Sequence, residues 1–450
     1  MRTLLTLLSI AVLAASVTAD DIAVTVYNSN LGVISELRSL EFVKGVGRLA
    51  FTDVPSRIDP ASVRFDMVGK GGDVTILEQN YAYDLVNPQQ MYTRYIDEEI
   101  ELIDKEGKLY SGTLLSSAAD AVVLMEESGK IKIIRLEHIL ETSFPSLPEG
   151  LITRPTLFWT YSSEAAGKYD ARVGYQTSGM NWSAEYVGVL SPDEKNLDLS
   201  GWASIDNNSG KTYKDATLKL VAGDIHRAER PGRGMAVREV TTALDKRALA
   251  GFEEKAFFEY HLYTLPRKAT LADKENKQIS LFEPAKSTVE KLFIYRPERN
   301  PTKVEVAVKF TNSEETGLGM PLPAGRVRLF KADDDGSMIL LGEDLIDHTP
   351  KDEEVKLQVG HAFDITAEEK VVTQSRISPK VEEKDFEIEL SNHKEDPVVV
   401  EIEKKLWGFW DVMDSSIEYE KKDASTIIFQ VPLQPDESST VKFKVRYYLR

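Results

Sequence analysis

Apolar and polar residues alternate along most of this chain, and that alternation restricts it to half-buried β-strands. Val304, Val306, Val308 and Phe310 share one parity, and Glu305, Lys309 and Thr311 share the other. Val441, Phe443, Val445, Tyr447 and Leu449 alternate with Lys442, Lys444, Arg446 and Tyr448. Near the start, Val24 and Val26, then Leu31, Val33 and Ile34, flank an Asn28-Ser29-Asn30 turn. Successive side chains of a strand point to opposite faces, so a period of two buries one face and wets the other. Turn residues recur at short intervals, at Lys105-Glu106-Gly107, Glu127-Ser128-Gly129 and Asp335-Gly336. Short strands with frequent turns predict an all-β fold of several antiparallel sandwich or barrel modules in tandem.

Residues 1–19 do not follow this pattern. Arg2 precedes an apolar run from Leu4 to Ala15 that only Thr6 and Ser9 interrupt, and Val17-Thr18-Ala19 ends in a small residue. This order predicts a secretory signal peptide cleaved after Ala19. The run is short for a membrane span, which needs about 20 apolar residues. No other window is long and apolar enough for a spanning helix. The chain has no cysteine, which excludes a lipid anchor at the cleavage site, and its size allows a full core without cross-links. The expectation is an exported protein, periplasmic or secreted. The net charge of −18 and the lack of a basic run argue against nucleic acid as a partner, since that needs a cationic face. An acidic surface keeps an exported chain soluble.

Turn and linker residues divide the mature chain. Residues 20–85 are expected to form an N-terminal β unit, and 86–145 a small barrel of the SH3 or Sm type. Residues 145–154 read as a linker. Residues 156–310 are expected to form a sandwich interrupted by a long exposed loop at 226–256, and 311–450 a C-terminal sandwich.

Five local patterns invite a chemical reading. Ser209-Gly210-Lys211-Thr212 is the tail of a phosphate-binding loop, but Ile205 stands where its first glycine belongs. Ala216, Leu218, Leu220 and Ala222 then continue as a strand, so no helix N-terminus is available to hold a phosphate. A hairpin is expected instead, with strands at 202–205 and 217–221 and a turn at 207–211. Asp333-Asp334-Asp335-Gly336 suggests calcium, but consecutive carboxylates before a glycine also make an ordinary turn. His138, His226, His261, His348, His361 and His393 are scattered without metal-ligand spacing. Aromatic residues cluster at Trp159-Thr160-Tyr161 with Trp182 and Trp202, and at Leu406-Trp407-Gly408-Phe409-Trp410. On strands such residues are mostly core, although an exposed aromatic can stack on a sugar. Asn181 and Asn207 head glycosylation-type triplets.

Four stretches together resemble proteins carrying domain of unknown function 4139. The first is Asn208-Ser209-Gly210, Tyr213, Asp215-Ala216, Leu218 and 220–224. The second runs from Gly174-Tyr175 through 182–186. The third is 258–265 leading to Lys277-Gln278-Ile279, and the fourth is 322–330. The resemblance covers about 155–450. It implies an exported, β-rich bacterial protein and brings no catalytic, cofactor or metal residues with it.

The sequence thus predicts a non-catalytic envelope protein that binds or scaffolds an envelope protein or a glycan, with no cofactor. The alternatives are a hydrolase with an inter-domain cleft and a calcium-dependent adhesin-like module.

Overall fold

The computed structural model describes residues 13–15, 21–69, 74–118, 120–148, 151–223, 225, 253–257 and 260–449. Most of the signal segment, most of the 226–256 loop and His226 lie outside the described residues. Among the described residues strands make up nearly all of the regular structure, as the alternation requires, with one α-helix at Pro88–Arg94. The chain divides into two compact units. One comprises 1–181, 206–219 and 267–275, and the other 182–205, 220–266 and 276–450.

In the first unit, Gly32–Phe42 pairs antiparallel with Gly167–Thr177 along its whole length and with Asp21–Tyr27 on its other side. Ile58–Met67 adds to the far edge of Gly167–Thr177. Thr156–Ser163 pairs with both Gly45–Thr52 and Val74–Ala82. Residues Leu13–Ala15, within the N-terminal apolar run, lie parallel to 49–51. Aromatic rings form the core here. Trp159 lies 5.0 Å from Phe51 and 5.3 Å from Phe65, centroid to centroid, and Tyr161 lies 4.9 Å from Phe42. The Trp159 indole N–H donates to Gln79 Oε1 at 2.7 Å, which satisfies its one polar atom.

The 86–145 stretch is an open sheet rather than a closed barrel. Its strand order is Ile131–Arg135, Ala121–Met125, Leu109–Ala118, Glu99–Asp104, Ile139–Ser143, and no ladder joins the two outer strands among the described residues. Pro88 begins the helix that covers one face, and the Asn87 side chain accepts the Gln90 N–H at 3.0 Å as its cap. Tyr92 from this helix and Tyr95 at its C-terminal cap pack on Ile100, Leu102, Leu114, Val122 and Leu124.

In the second unit, residues 184–190 run parallel to 325–331, so this sheet is mixed. The largest sheet has nine strands, ordered from Phe409–Ser415 through Ser438–Tyr448, Val381–Asn392, Glu354–Ser378, Lys303–Thr311, Glu290–Tyr295, Val398–Lys405 and Thr426–Leu433 to Glu420–Lys421. It folds back on itself so that its two ends share a core. Phe443 from one end lies 5.1 Å from Phe429 of the other and 5.0 Å from Phe386 beside it. Glu290–Tyr295 and Lys303–Thr311 therefore lie in the same sheet as the C-terminal strands.

Candidate functional site

The most chemically unusual place in the first unit is a buried charged centre. On Gly32–Phe42, Glu36 and Arg38 take the inward parity of Ile34, Leu40 and Phe42, and their exposures are 0% and 4%. Lys211 comes from the turn before Tyr213–Ala222 and is 6% exposed. Glu36 Oε1 accepts from the Lys211 ammonium and from the Tyr175 hydroxyl. Glu36 Oε2 accepts from Arg38 Nε at 2.9 Å, and Arg38 Nη1 donates to the Thr52 carbonyl at 3.0 Å. The Arg38 guanidinium also stacks over Phe51 at 4.1 Å.

Burial pushes the Glu36 carboxyl up. The Lys211 and Arg38 charges, with hydrogen bonds from Lys211 and Tyr175, outweigh that and hold its pKa below the ordinary value. Burial lowers the pKa of Lys211, and Glu36 offsets only part of that shift. Burial also raises Tyr175 far above its usual value and raises Tyr213 as well. The centre holds two cations and one carboxylate, and no side-chain polar atom buried among the described residues lacks a partner. With its principal groups closed to solvent, it is built to hold strands together rather than to meet a substrate.

Lys211 is the lysine of the phosphate-loop look-alike, so the structure explains that motif. The two flanking strands are Asn196–Asn207 and Tyr213–Ala222, but they enter different sheets and form no ladder with each other. The expected hairpin is therefore a turn between sheets. Its hub is Asn207, whose Nδ2 donates to the Lys211, Leu271 and Ala272 carbonyls at 2.8, 3.1 and 3.1 Å. Asn207 Oδ1 accepts from the Ser209 hydroxyl at 2.8 Å. Asn207 is 1% exposed, so the acceptor of its glycosylation-type triplet is buried in the folded chain. Gly210 has φ +88°, and a Cβ there would meet Ser56 Oγ at 2.0 Å, so only glycine fits.

A second charged centre occupies the nine-stranded sheet. Arg296 donates to Glu305 and, at 2.6 Å, to Glu403, and Lys422 reaches Glu403 at 2.9 Å. Glu305 was assigned to a solvent face by parity but is 2% exposed, because Arg296 and Arg299 cover that face of the strand with charge. Burial raises the Glu403 carboxyl, but the hydrogen bonds and charges of Arg296 and Lys422 bring its pKa down to about 2. Lys404 lies between Glu298 and Glu369, each at 2.6 Å.

The remaining sequence candidates do not converge. Asp333 Oδ1 accepts the Asp334 N–H and Asp335 Oδ1 the Ser337 N–H, so these carboxylates make a turn. No group of three or more His, Asp or Glu side chains among the described residues is placed to hold a metal ion. His348 Nδ1 accepts the Ala324 N–H, and His361 lies 3.4 Å from the Asn300 amide. Trp159, Tyr161 and Trp182 are core, whereas Trp407 and Phe409 are 64% and 59% exposed. Sequence reasoning missed Glu36 and Arg38. The available signal was two charges at apolar parity within one strand.

The Tyr186 and Tyr263 hydroxyls donate to the Pro323 and Pro321 carbonyls at 2.8 and 2.9 Å, so the proline-rich entry to the Gly325–Ala332 strand accepts from both tyrosines. Among curated proteins, no sequence matches this chain. The family model of the domain of unknown function DUF4139 matches residues 171–407, a little over half of the chain, and the protein belongs to that family.

Proposed function

We propose that this is an exported, non-catalytic bacterial envelope protein that acts by binding or scaffolding. One observation carries the reading. The buried ionisable groups of both charged centres are committed to one another, while large apolar side chains stand open on regular strands and turns. Phe363 is 95% exposed, Tyr83 71% and Trp407 64%. Exposed aromatic side chains can serve recognition, and closed charge networks suit stability. The N-terminal segment, with its basic residue, apolar run and small-residue end, supports export.

The test is to express the full chain with a C-terminal tag, fractionate the cells and determine the mature N-terminus by mass spectrometry. A chain starting at Asp20 outside the cytoplasm is the expected result, and an unprocessed cytosolic chain overturns export. Purified protein is expected to leave chromogenic glycosides, esters and casein intact. Turnover that co-purifies with the protein and disappears with a point variant overturns the non-catalytic reading.

A further inference from the structure

We propose that the groove between the Val74–Ala82 strand and the Pro88–Arg94 helix binds a saccharide. This deepens the binding reading above and rests on it. The groove has a volume of about 700 Å³, with Tyr81, Tyr83, Asp84, Leu85, Asn87 and Gln90 among its lining residues.

Its shape is fixed by local contacts. The Tyr81 hydroxyl donates to the Ser56 carbonyl at 3.1 Å, which anchors one ring, and the Tyr83 ring lies 5.6 Å from it at 31°. Asn87 is used up as the helix cap and as a donor to the Leu85 carbonyl. It therefore holds the groove rather than the ligand. Arg94 meets Asp84 at 2.7 Å and keeps its carboxylate in place. The Gln90 side chain has no hydrogen bond to the protein among the described residues, although the residue is only half-exposed.

The site thus joins an open aromatic face to planar polar groups that can donate and accept. The face of a tyrosine ring carries negative charge density and attracts the C–H bonds of a flat pyranose. Sugar hydroxyls both donate and accept, so they can satisfy the Gln90 amide and the Asp84 carboxylate together. A proline-rich peptide, the other usual occupant of a tyrosine-lined groove, offers mainly carbonyl acceptors. It would cover the Gln90 side-chain oxygen without giving it a donor, a desolvation cost that a hydroxyl ligand avoids. Pyranoses with equatorial hydroxyls present the flattest C–H face, so β-linked glucose and N-acetylglucosamine chains fit best.

The experiment is titration calorimetry of the full chain with cellohexaose, chitohexaose and decaproline. At least one hexasaccharide is expected to bind and decaproline is not. Tyr83→Ala is expected to weaken saccharide binding about tenfold, the size of a lost aromatic contact, and Gln90→Ala to weaken it by a smaller factor. Lys286→Ala, at an exposed position on another strand, is expected to leave it unchanged. Tyr83 is exposed, so its variant is expected to melt like the parent. The proposal is overturned if neither hexasaccharide binds, if Tyr83→Ala binds as well as the parent, or if decaproline takes the groove. A correctly exported, catalytically silent protein that binds neither sugar loses this assignment alone. Failure of export or the appearance of turnover strikes the broader reading instead.

Discussion

Lys211 and Glu36 are 175 residues apart in sequence and form a buried ion pair. The pair ties the turn at 207–211 to the inward face of the Gly32–Phe42 strand. Arg38 and Tyr175 complete the carboxylate's partners, so each member depends on the others.

Lys211→Met is expected to destabilise the protein by about 3–5 kcal/mol, because removing one partner of a buried pair leaves an uncompensated charge. Glu36→Gln is expected to cost at least as much, since it leaves Lys211 and Arg38 facing each other. Urea denaturation gives both values. A loss below about 1 kcal/mol for either variant, the range of an exposed pair, would refute the buried-pair account.

Asn207→Ala removes the donor from three carbonyls at once and is expected to cost about 2 kcal/mol or more. Asn207→Asp keeps the acceptor for Ser209 but cannot donate to the Lys211, Leu271 and Ala272 carbonyls. It is expected to destabilise no less than alanine. Rescue by aspartate, seen as a parent-like melting temperature, would show that the acceptor matters more than the donors.

Magnesium ATP is expected to leave the melting temperature unchanged at millimolar concentration. A ligand that binds only the folded state must raise it, and the Lys211 ammonium is already held by Glu36 below the surface. A saturable upward shift would restore the nucleotide reading.

Two groups in the nine-stranded sheet set limits on the pH range of stability. The folded pKa of Glu403 lies below its ordinary 4.5, at about 2. Its contribution is therefore complete above about 4.5 and is lost as pH falls toward 2, a change on the order of 3 kcal/mol. Burial, reinforced by Glu369 and Glu298, pushes Tyr447 up to about 12. Its contribution is complete below the ordinary tyrosine value of about 10 and is lost as pH rises through 12. Denaturation at a series of pH values is expected to show both declines, with Glu403→Gln removing most of the acid-side slope contributed by this group. An unaltered acid limb in that variant would assign the decline to other carboxylates.

Much of the architecture was legible from the residues. The alternation of 441–449 marks a strand whose inward members Val441, Phe443 and Val445 are buried as expected. Pro88 and Asn87 mark a helix start, but without an apolar stripe long enough to announce the helix before it is seen. The consecutive aspartates at 333–335 form a turn, and Trp159, Tyr161 and Trp182 of the first aromatic cluster are core, whereas Trp202 is 40% exposed.

Parity failed where charge is buried. Glu305 alternates with apolar neighbours and reads as wet, but Arg296 covers it. Glu36 and Arg38 sit on apolar parity, where a sequence gives no partner for them. Period two is a local property, fixed by the geometry of a single strand, and so the sequence alone determined that the chain is built of strands and turns. Which strands meet depends on the free energy of burying particular faces together over long separations. Only the tertiary structure decided that 184–190 runs parallel to 325–331. It also decided that the strands around Ser209-Gly210-Lys211-Thr212 part into two sheets, and that Lys211 meets a carboxylate instead of a phosphate, because a buried charge is stable only where the fold brings its partner to it.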